Sequence, residues 1–431
     1  MKNILRVFSW KPRKGINFGD QIGPMIVERL LARAGRAVEI AAAGTNDRKL
    51  LAVGSILHEA RSGDHIWGSG VNGKSWPPDS IQNAALHFHS VRGPITRRAA
   101  IELGHDVPEK YGDPGILFPI LFSDEIERKA AEILNDYDQA GLAFPTTAFI
   151  PNINDDRFYC PEKGDLDKTW LYVNPSSDPV VVAACIRLVD HVVSSSLHGI
   201  VFADVFGKDI TFFQSRFEPM LKYDDYFMGT DREPVVPVSS LSMACRHANV
   251  GPFRFKPEEL LASFPFHDGE QSAEDLILPV EILEVGERHR FATDERDGAP
   301  SPTIFTKGWT VPRNGSVWSV GKEVEILFAT DPNLKQKLIL RVDAGTLPTG
   351  KGHSEKLRIS AGGKLLSTFE FKRGEPAKPI EIPLPPPDPL TGLVHLKGSI
   401  DHPSSLGHPG KGGDEPALGV WIGSYELRKA K

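Results

Sequence analysis

Cysteine is scarce in this chain, with only three among 431 residues: Cys160, Cys185 and Cys245. They include no CxxC pair, and three cysteines cannot form a complete set of disulfides. This excludes a disulfide-stapled scaffold and agrees with a reducing compartment. We therefore expect the three cysteines to be thiols in the core or on the surface.

Long hydrophobic runs are also missing, since no apolar stretch approaches the roughly 18 residues that cross a bilayer. The first residues, Met1–Arg6, carry a charge inside what would be the core of a signal peptide. There is no excess of positive charge either, and a net charge of −6 gives no general affinity for nucleic acids or anionic lipids. We expect a cytoplasmic protein without a transmembrane segment, in which a local cluster holds any anionic substrate.

Near the N-terminus the sequence predicts a strand, a glycine-containing loop and a helix in succession. The strand is Ile4–Trp10, the loop holds Asn17, Gly19 and Asp20, and the helix is the amphipathic run Met25–Ala34. This succession is typical of doubly wound α/β domains, whose loops bind ligands at the carboxyl ends of the strands. Asp20 could accept a proton from a bound hydroxyl or hold that hydroxyl in place, or it could cap the helix.

Similar turns between a strand and a helix follow later in the chain. They are Gly68–Val71 with Ser69 and Gly70, Val91–Arg97 with Arg92, and Gly112–Gly115 with Asp113. The planar fork of Arg92 suits a carboxylate or a phosphate. An ordinary turn signature surrounds Asp113, which favours a structural role for that residue over ligand binding. The alternation of strands and helices predicts a parallel sheet covered on both faces.

The most informative motif is Ser194–Asp204, because it places one histidine where a strand turns into a helix. The pattern predicts the end of a buried strand at His191–Val193, an N-cap cluster at the serines and a helix from Gly199 onward. A helix N-terminus has unpaired amide donors and is a ready anion site. There, His198 could exchange a proton with a ligand next to a bound phosphate or carboxylate, unless it only packs at the strand end.

Together and in this order, these segments resemble the polysaccharide pyruvyl transferase family over about the first 230 residues. Enzymes of that family transfer the pyruvyl unit of phosphoenolpyruvate to a sugar, usually as a cyclic ketal across two hydroxyls. The resemblance implies a catalytic role for His198 and Asp20. It also implies a donor site formed by Arg92, Ser194, Ser195, Ser196, Gly199, Arg216 and Lys222, in a cleft that contains Asn17, Gly19, Ser69, Gly70 and Asp113 as well.

Two details refine this resemblance. The segment Gln214–Phe217, followed by Lys222–Tyr226, is similar to the branch that modifies bacterial exopolysaccharides such as succinoglycan. Many family members carry an arginine two residues before the motif histidine, where this chain has Ser196. Arg216 or Lys222 would then have to supply the missing positive charge.

Formation of a ketal needs a proton for the methylene carbon, removal of protons from two sugar hydroxyls and departure of phosphate. We expect His198 to be the acid that protonates the carbon, and Asp20 to receive or hold an acceptor hydroxyl. No metal is expected: His87 and His89 alternate on one strand face, but no third ligand at suitable spacing is evident. Phosphoenolpyruvate is expected as a co-substrate, without a cofactor.

A chain of 431 residues is long for one domain. We place a Rossmann-like domain at residues 1–140, a second one with the histidine motif at 141–275, a linker at 276–302 and a β-sandwich at 303–431. The two Rossmann-like domains, facing across a cleft, predict a glycosyltransferase-B-like architecture. After Phe266, short alternating strands with turn signals replace the helical periodicity and indicate the sandwich.

The predicted sandwich contains three tryptophans, Trp309, Trp318 and Trp421. They could stack on sugar rings, although tryptophan in a small sandwich is more often part of the core. The proline run Pro383–Pro389 predicts a stiff loop or an edge rather than a central strand. Carbohydrate binding by this domain is therefore a hypothesis.

Two other functions remain open at this point. One is a nucleotide-sugar-dependent glycosyltransferase that binds a diphosphate at the same helix N-terminus. The other is a non-catalytic polysaccharide-binding protein whose cleft has decayed. For the pyruvyl transferase, the resemblance implies an acceptor sugar in an exopolysaccharide or in its lipid-linked repeat unit, and a lipid-linked acceptor would bring the protein to the membrane surface.

Overall fold

The computed structural model of this chain describes residues 2–12, 16–44, 47–74, 79–82, 84–159, 169–244, 248–266, 273, 276–291, 304–309, 316–346, 354–372, 375–388, 391–401, 404–405 and 417–430. The chain divides into two compact units. The first is Leu5–Ile277, and the second is Met1–Ile4 together with Leu278–Lys431. Cys160, Cys245 and residues 292–303 lie outside the described residues.

The strands of the described residues are β1 (Lys2–Phe8), β2 (Glu39–Ala42), β3 (Leu50–Leu51), β4 (His65–Trp67), β5 (His87–Ser90), β6 (Thr147–Ile150), β7 (Leu171–Tyr172), β8 (His191–Ser194), β9 (Asp209–Phe212), β10 (Ile277–Val280), β11 (Arg288–Arg290), β12 (Val317–Val320), β13 (Glu323–Ala329), β14 (Leu338–Thr346), β15 (Ser354–Ala361), β16 (Lys364–Lys372), β17 (Lys378–Pro383), β18 (Leu393–Asp401), β19 (Ser404–Ser405) and β20 (Ala417–Lys429). The helices are α1 (Phe18–Arg33), α2 (Asp79–Gln82), α3 (Pro94–Glu102), α4 (Leu117–Leu121), α5 (Ser123–Gln139), α6 (Asp156–Tyr159), α7 (Pro179–Leu188), α8 (Leu197–Val205), α9 (Leu221–Gly229), α10 (Leu241–Ala244) and α11 (Pro257–Ala262).

The unit Leu5–Ile277 is built on two sheets. The first contains β1 to β5: its β1–β3, β3–β4 and β4–β5 pairs are parallel, and β2 pairs with β1. The second has the order β7-β6-β8-β9 and is parallel throughout. One hydrophobic core includes residues from both sheets, among them Leu5 and Val7 of β1 and Ala148 and Ile150 of β6. The two sheets of this unit are therefore packed as one body.

Capping side chains and prolines mark where several helices begin after the strands. Asn17 caps α1, Asp178 caps α7 and Ser196 caps α8, each by accepting a hydrogen bond from a backbone N–H in the first turn. Proline occupies the first turn of α3 and of α7, where its missing N–H has no cost. The strand and the serine N-cap predicted around the histidine motif are confirmed.

The second unit consists of antiparallel strands in two sheets. One sheet has the order β11-β20-β14-β17, with β12 and β19 also paired to β20, and the other has the order β13-β18-β15-β16. Alternate residues of these strands point into one shared core; in β14 they are Leu338, Leu340 and Val342. The predicted mixed fold, with parallel sheets followed by antiparallel strands, is confirmed.

Two sequence expectations about this second unit can be compared with the structure. The predicted linker, residues 276–302, contains two strands, Ile277–Val280 and Arg288–Arg290, and the domain boundaries stay a prediction. The charged residues and the proline in these segments did not indicate strands, because the strands depend on pairing with residues distant in the sequence, such as β11 with β20. The prediction for the proline run is confirmed where it is described, since Pro383 ends the edge strand β17 and residues 384–388 are irregular.

The tryptophans of the second unit occupy two kinds of position. Trp309 is anchored inward, since its indole N–H donates to the Glu325 carbonyl at 3.0 Å and its ring contacts Phe305. Trp318 and Trp421 form a cross-strand pair of half-buried rings, with centroids 6.3 Å apart. Across the described part of the chain, no helix is long and apolar enough to cross a membrane.

Candidate active site

Loops at the carboxyl ends of strands from both parallel sheets surround a pocket of about 300 Å³ in the unit Leu5–Ile277. This is where parallel α/β sheets bind ligands. The residues that line it are Trp10, Asn17, Asp20, Gly54, Ser55, Ile56, His58, Asn72, Lys74, Asn152, Ile153, Asn154, Ser196, Leu197, His198, Glu218 and Lys222. The sequence motifs at Asn17–Asp20 and Ser196–His198 are therefore brought together.

His198 lies in the first turn of α8 and is 8% exposed. Its ring lies against Gly19, where a Cβ would come within 2.1 Å of the imidazole Nδ1, so residue 19 must be glycine for the ring to adopt this position. Its Nε2 faces the Asp113 carboxylate at 3.7 Å. Burial lowers the pKa of His198; Asp113 opposes this effect, and the positive charges of Lys222 and Arg92 add to it. The imidazole is therefore neutral at neutral pH, with a carboxylate placed to stabilise its protonated form.

Asp113 combines the structural and functional roles that its sequence left open. Its Oδ1 accepts the Gly115 N–H at 2.8 Å and caps a short 3₁₀ turn, Pro114–Ile116. Its Oδ2 is the oxygen that faces His198, at 3.7 Å, and it has no hydrogen-bond partner among the described residues. The turn thus fixes a carboxylate behind the histidine ring.

Asp20 lies in the first turn of α1 but does not cap the helix, because Asn17 accepts the Gly19 N–H instead. The Asn17 amide N–H₂ also donates to Asp20 Oδ2 at 2.6 Å, which holds the carboxyl group at the pocket wall. Burial raises the pKa of Asp20 to about 7, with Asn17 and Lys222 lowering it and Glu218 raising it further. A substantial fraction of Asp20 is therefore protonated near neutral pH.

Lys222, at the start of α9, is buried with only 10% of its side chain exposed. Its ammonium donates to Glu218 Oε2 at 2.8 Å, and Lys74 pairs with the other oxygen of the same carboxylate. Burial lowers the pKa of Lys222, although Glu218 opposes this. Lys74 and Glu218 were missed by the sequence analysis; the only signal was the i,i+4 spacing of Glu218 and Lys222, which is common on any helix.

Arg92 does not line the pocket, and its predicted role as a direct donor ligand needs correction. The side chain is fully buried: Nε donates to Asp225 at 3.0 Å, one terminal nitrogen to Ser55 Oγ at 2.6 Å and the other to the Val71 carbonyl at 2.6 Å. Asp225 also accepts both the N–H and the hydroxyl of Thr96. The guanidinium of Arg92 is thus hydrogen-bonded to protein groups and not available to a phosphate. Arg92 therefore stabilises the structure around the pocket without lining it.

The substitution Arg92→Lys should destabilise the protein by about 2 kcal/mol, because a single ammonium cannot serve all three acceptors and leaves a buried polar group unsatisfied. Thermal unfolding followed by circular dichroism measures this loss. The matched control is Arg98→Lys, since Arg98 is an exposed arginine of α3 paired with Glu102. Equal melting temperatures for Arg92→Lys and the wild type would contradict this stabilising role.

The other predicted donor residues divide in the same way. Ser196 caps α8 and lines the pocket. Ser194 and Ser195 are fully buried; their hydroxyls donate to the Ile150 carbonyl and to Asp155 at 2.9 Å each. Four further predicted residues also lie outside the pocket lining. Gly199 lies against Ser194, and Gly70 lies against Arg92. Ser69 donates a hydrogen bond to the Gly54 carbonyl, and Arg216 is exposed and contacts Tyr159. Of the two cations considered as replacements for the family arginine, only Lys222 lines the pocket.

His87 and His89 lie on β5 beside His65 of β4, away from the pocket lining. Their rings stack on His65 with centroids 4.4 Å and 5.1 Å away, and His65 and His89 share a hydrogen bond of 2.9 Å. Stacked rings do not direct their nitrogens at a common point. Among the described residues, no group of three or more histidine, cysteine or acidic side chains could hold a metal ion.

The fold and the pocket define an α/β protein with acid, base and cationic side chains at the carboxyl ends of two parallel sheets. Residues 17–212 match the model of the polysaccharide pyruvyl transferase family. This match confirms the resemblance found in the sequence. The exopolysaccharide branch stays a prediction.

Other comparisons are distant. No curated protein matches the chain. An uncharacterised protein from Klebsiella pneumoniae is 16% identical, with 52% of this chain and 87% of that chain covered and a TM-score of 0.31. A carbohydrate-binding module from Clostridium stercorarium in complex with cellobiose is 8% identical, with 35% of this chain and 98% of that chain covered and a TM-score of 0.19. An arabinoxylan arabinofuranohydrolase from Bacillus subtilis is 13% identical, with 36% of this chain and 29% of that chain covered and a TM-score of 0.20. Scores this low support no conclusion about function.

Proposed function

We propose that this protein transfers pyruvyl from phosphoenolpyruvate to a saccharide and forms a ketal. The observation that carries the proposal is the convergence of His198, Asp20 and Lys222 on one pocket. His198 and Asp20 lie in the segment that matches the model of the polysaccharide pyruvyl transferase family. The pocket offers a base, an acid and a cation, which are the groups that this reaction needs.

The environments of His198 and Asp20 favour acid–base roles opposite to those expected from the sequence. A carboxyl group with a pKa of about 7 still carries a proton near neutral pH and can give it to the methylene carbon. A neutral imidazole backed by Asp113 can take a proton from an acceptor hydroxyl. Two groups whose pKa values are displaced in opposite directions are typical of an acid–base pair. We therefore assign Asp20 as the acid and His198 as the base.

In the first step, an acceptor hydroxyl oxygen bonds to C2 of phosphoenolpyruvate, its proton passes to His198, and Asp20 protonates the methylene carbon. In the second step, the bond between C2 and the phosphate oxygen breaks and a second hydroxyl oxygen takes its place. The proton of that hydroxyl leaves with the phosphate. The products are one ketal carboxylate and hydrogen phosphate, and the proton on His198 returns to Asp20 through water.

Mass spectrometry of candidate glycans incubated with the protein and phosphoenolpyruvate tests the function directly. The expected result is a product with the added mass of one pyruvyl ketal and release of one phosphate per product. Nucleotide sugars serve as the parallel donors. A product that gains a sugar from one of them would favour a glycosyltransferase, and binding of glycan without any product would favour a non-catalytic binding protein.

The finer parts of the proposal concern the setting of the reaction. We propose a cytoplasmic enzyme whose acceptor is an exopolysaccharide sugar or its lipid-linked repeat unit, with a glycosyltransferase-B-like arrangement of the two parallel sheets. The two antiparallel sheets with their shared core support a β-sandwich in the second unit. Trp318 and Trp421 are the candidate sugar-stacking pair of that unit, since Trp309 is anchored inward.

A chain that ends after Val280 keeps the unit Leu5–Ile277, with both parallel sheets and their core. We expect it to bind phosphoenolpyruvate with the affinity of the full chain. If the second unit holds the acceptor, transfer to a long glycan should fall more than transfer to a short one, because the loss of a second attachment site lowers the effective concentration of a tethered substrate. Initial rates on short and long acceptors measure this, and equal losses on both would contradict an acceptor-holding role.

A further inference from the structure

A cluster of two lysines around one carboxylate forms part of the pocket wall and has no role in the acid–base chemistry above. Lys222 Nζ lies 2.8 Å from Glu218 Oε2, and Lys74 Nζ pairs with Oε1. The amide of Asn154 also donates to Oε1, at 2.9 Å. All four side chains line the pocket. The cluster therefore carries a net charge of +1 at a ligand-facing surface.

The position of the carboxylate is fixed from the opposite side. Ser215 Oγ accepts the backbone N–H groups of Phe217 and Glu218, at 3.2 Å and 3.1 Å, and holds the turn that precedes α9. Only 7% of the Glu218 side chain is exposed. Burial opposes ionisation of Glu218, but the two lysines outweigh it and lower its pKa to about 2. Glu218 is thus a permanent anion that orients the two ammonium groups.

Both lysines have N–H donors that are not used on Glu218. An ammonium group has three N–H donors, and each lysine uses one of them on Glu218. The side chain of Lys74 is 40% exposed, so its ammonium can turn toward the pocket at little cost. Lys222 is buried, and its desolvated charge interacts strongly with an anion that reaches it. Two ammonium groups that pair with different oxygens of one carboxylate can in the same way contact different oxygens of one phosphate group.

We infer that Lys74 and Lys222, with Asn154, form the phosphate subsite of the pocket and that Glu218 is their positioning residue. The inference rests on the proposed function for the identity of the ligand, a phosphate monoester. It explains how this chain binds a phosphate without the family arginine, which is Ser196 here, and with Arg92 committed to Asp225. A diphosphate of a nucleotide sugar has the same charged oxygens, so the test includes both sources.

Isothermal titration calorimetry with inorganic phosphate, phosphoenolpyruvate and uridine diphosphate tests the subsite on the full chain. Lys74→Met should weaken binding of phosphate and phosphoenolpyruvate by the same factor, about 10-fold or more, which is the loss of one charge-assisted hydrogen bond. The matched control is Lys129→Met, which removes an exposed lysine paired with Glu132 on α5 and should change neither affinity. Uridine diphosphate that binds more tightly than phosphoenolpyruvate and is weakened most by Lys74→Met would assign the subsite to a diphosphate and contradict the monoester.

Lys222→Met alone leaves Glu218 buried with one partner fewer, so the fold-preserving test of this lysine is the pair Lys222→Met with Glu218→Gln. We expect this double variant to lose phosphate binding by at least 10-fold and to keep the melting temperature of the wild type. Unchanged phosphate affinity in the double variant and in Lys74→Met would overturn the subsite, even if pyruvyl transfer is observed. A wild type that binds phosphate through these lysines but transfers no pyruvyl would leave the subsite in place and refute the proposed function.

Discussion

Replacing His198 with glutamine is expected to lower kcat for pyruvyl transfer by ~10²- to 10⁴-fold, the usual contribution of a positioned acid or base. Glutamine fills a similar volume and keeps a polar group near Asp113, but it cannot take up a proton at neutral pH. Because α8 is capped by Ser196 and not by His198, the fold should survive the substitution. Steady-state kinetics, with melting temperature and phosphoenolpyruvate affinity measured on the same sample, separate lost chemistry from lost structure.

Two further variants make the His198 experiment specific. His191→Gln is the control, because His191 belongs to the same strand–helix motif, is bonded to Thr211 and lies outside the pocket lining. Its kcat should stay close to that of the wild type. Asp113→Asn keeps the Oδ1 cap on Gly115 but removes the charge that stabilises a protonated imidazole, so it should lower kcat without lowering donor affinity. A His198→Gln variant with near-normal kcat would leave the ring as a packing residue only.

Asp20→Asn is expected to make the protein more stable and nearly inactive. In the folded protein the pKa of Asp20 is about 7, against 3.8 for the free side chain. The folded state therefore holds a proton that the unfolded chain has already released, and stability is lost as the pH rises from about 4 through 7. Asparagine carries no such penalty. The stability gain over the wild type should therefore be larger at pH 8 than at pH 5, by roughly 2–3 kcal/mol, because each pH unit between the two pKa values contributes about 1.4 kcal/mol.

Thermal unfolding across this pH range, paired with kcat at each pH, tests both halves of the Asp20 prediction. In the wild type, kcat should decline as the pH rises above about 7, because the acid form of Asp20 disappears. The control is Asp124→Asn in the first turn of α5, where the side chain is exposed; it should show no gain that grows with pH. A stability gain for Asp20→Asn that is the same at pH 5 and pH 8 would show that the carboxyl ionises normally.

The site residues that could be predicted from the sequence are those that lie in short strand–turn–helix motifs. Asn17, Asp20 and His198 each lie where a strand turns into a helix, so parallel topology alone places them at the same edge of the sheets. The lysine cluster was not predictable in this way. Lys74 and Glu218 occur in no motif, and their pairing depends on how the two sheets pack.

Arg92 is a residue that the sequence identified but whose role it could not predict. The residue type and the turn were identified correctly, but a guanidinium fits a ligand phosphate and a buried carboxylate equally well. Which of the two it meets is decided by Asp225, more than a hundred residues further along the chain and hydrogen-bonded to it at 3.0 Å. The motif therefore identified a residue, Arg92, that supports the pocket structurally without lining it.

The contact between Gly19 and the His198 ring joins segments that are distant in the chain. Contacts of high sequence separation form late in folding, because the loop between them must be closed first. Asp20 and His198 can therefore come together only after the two sheets have packed against each other. During synthesis, the pocket would therefore be incomplete until α8 had emerged and packed, so a partly synthesised chain could not carry out the proposed reaction.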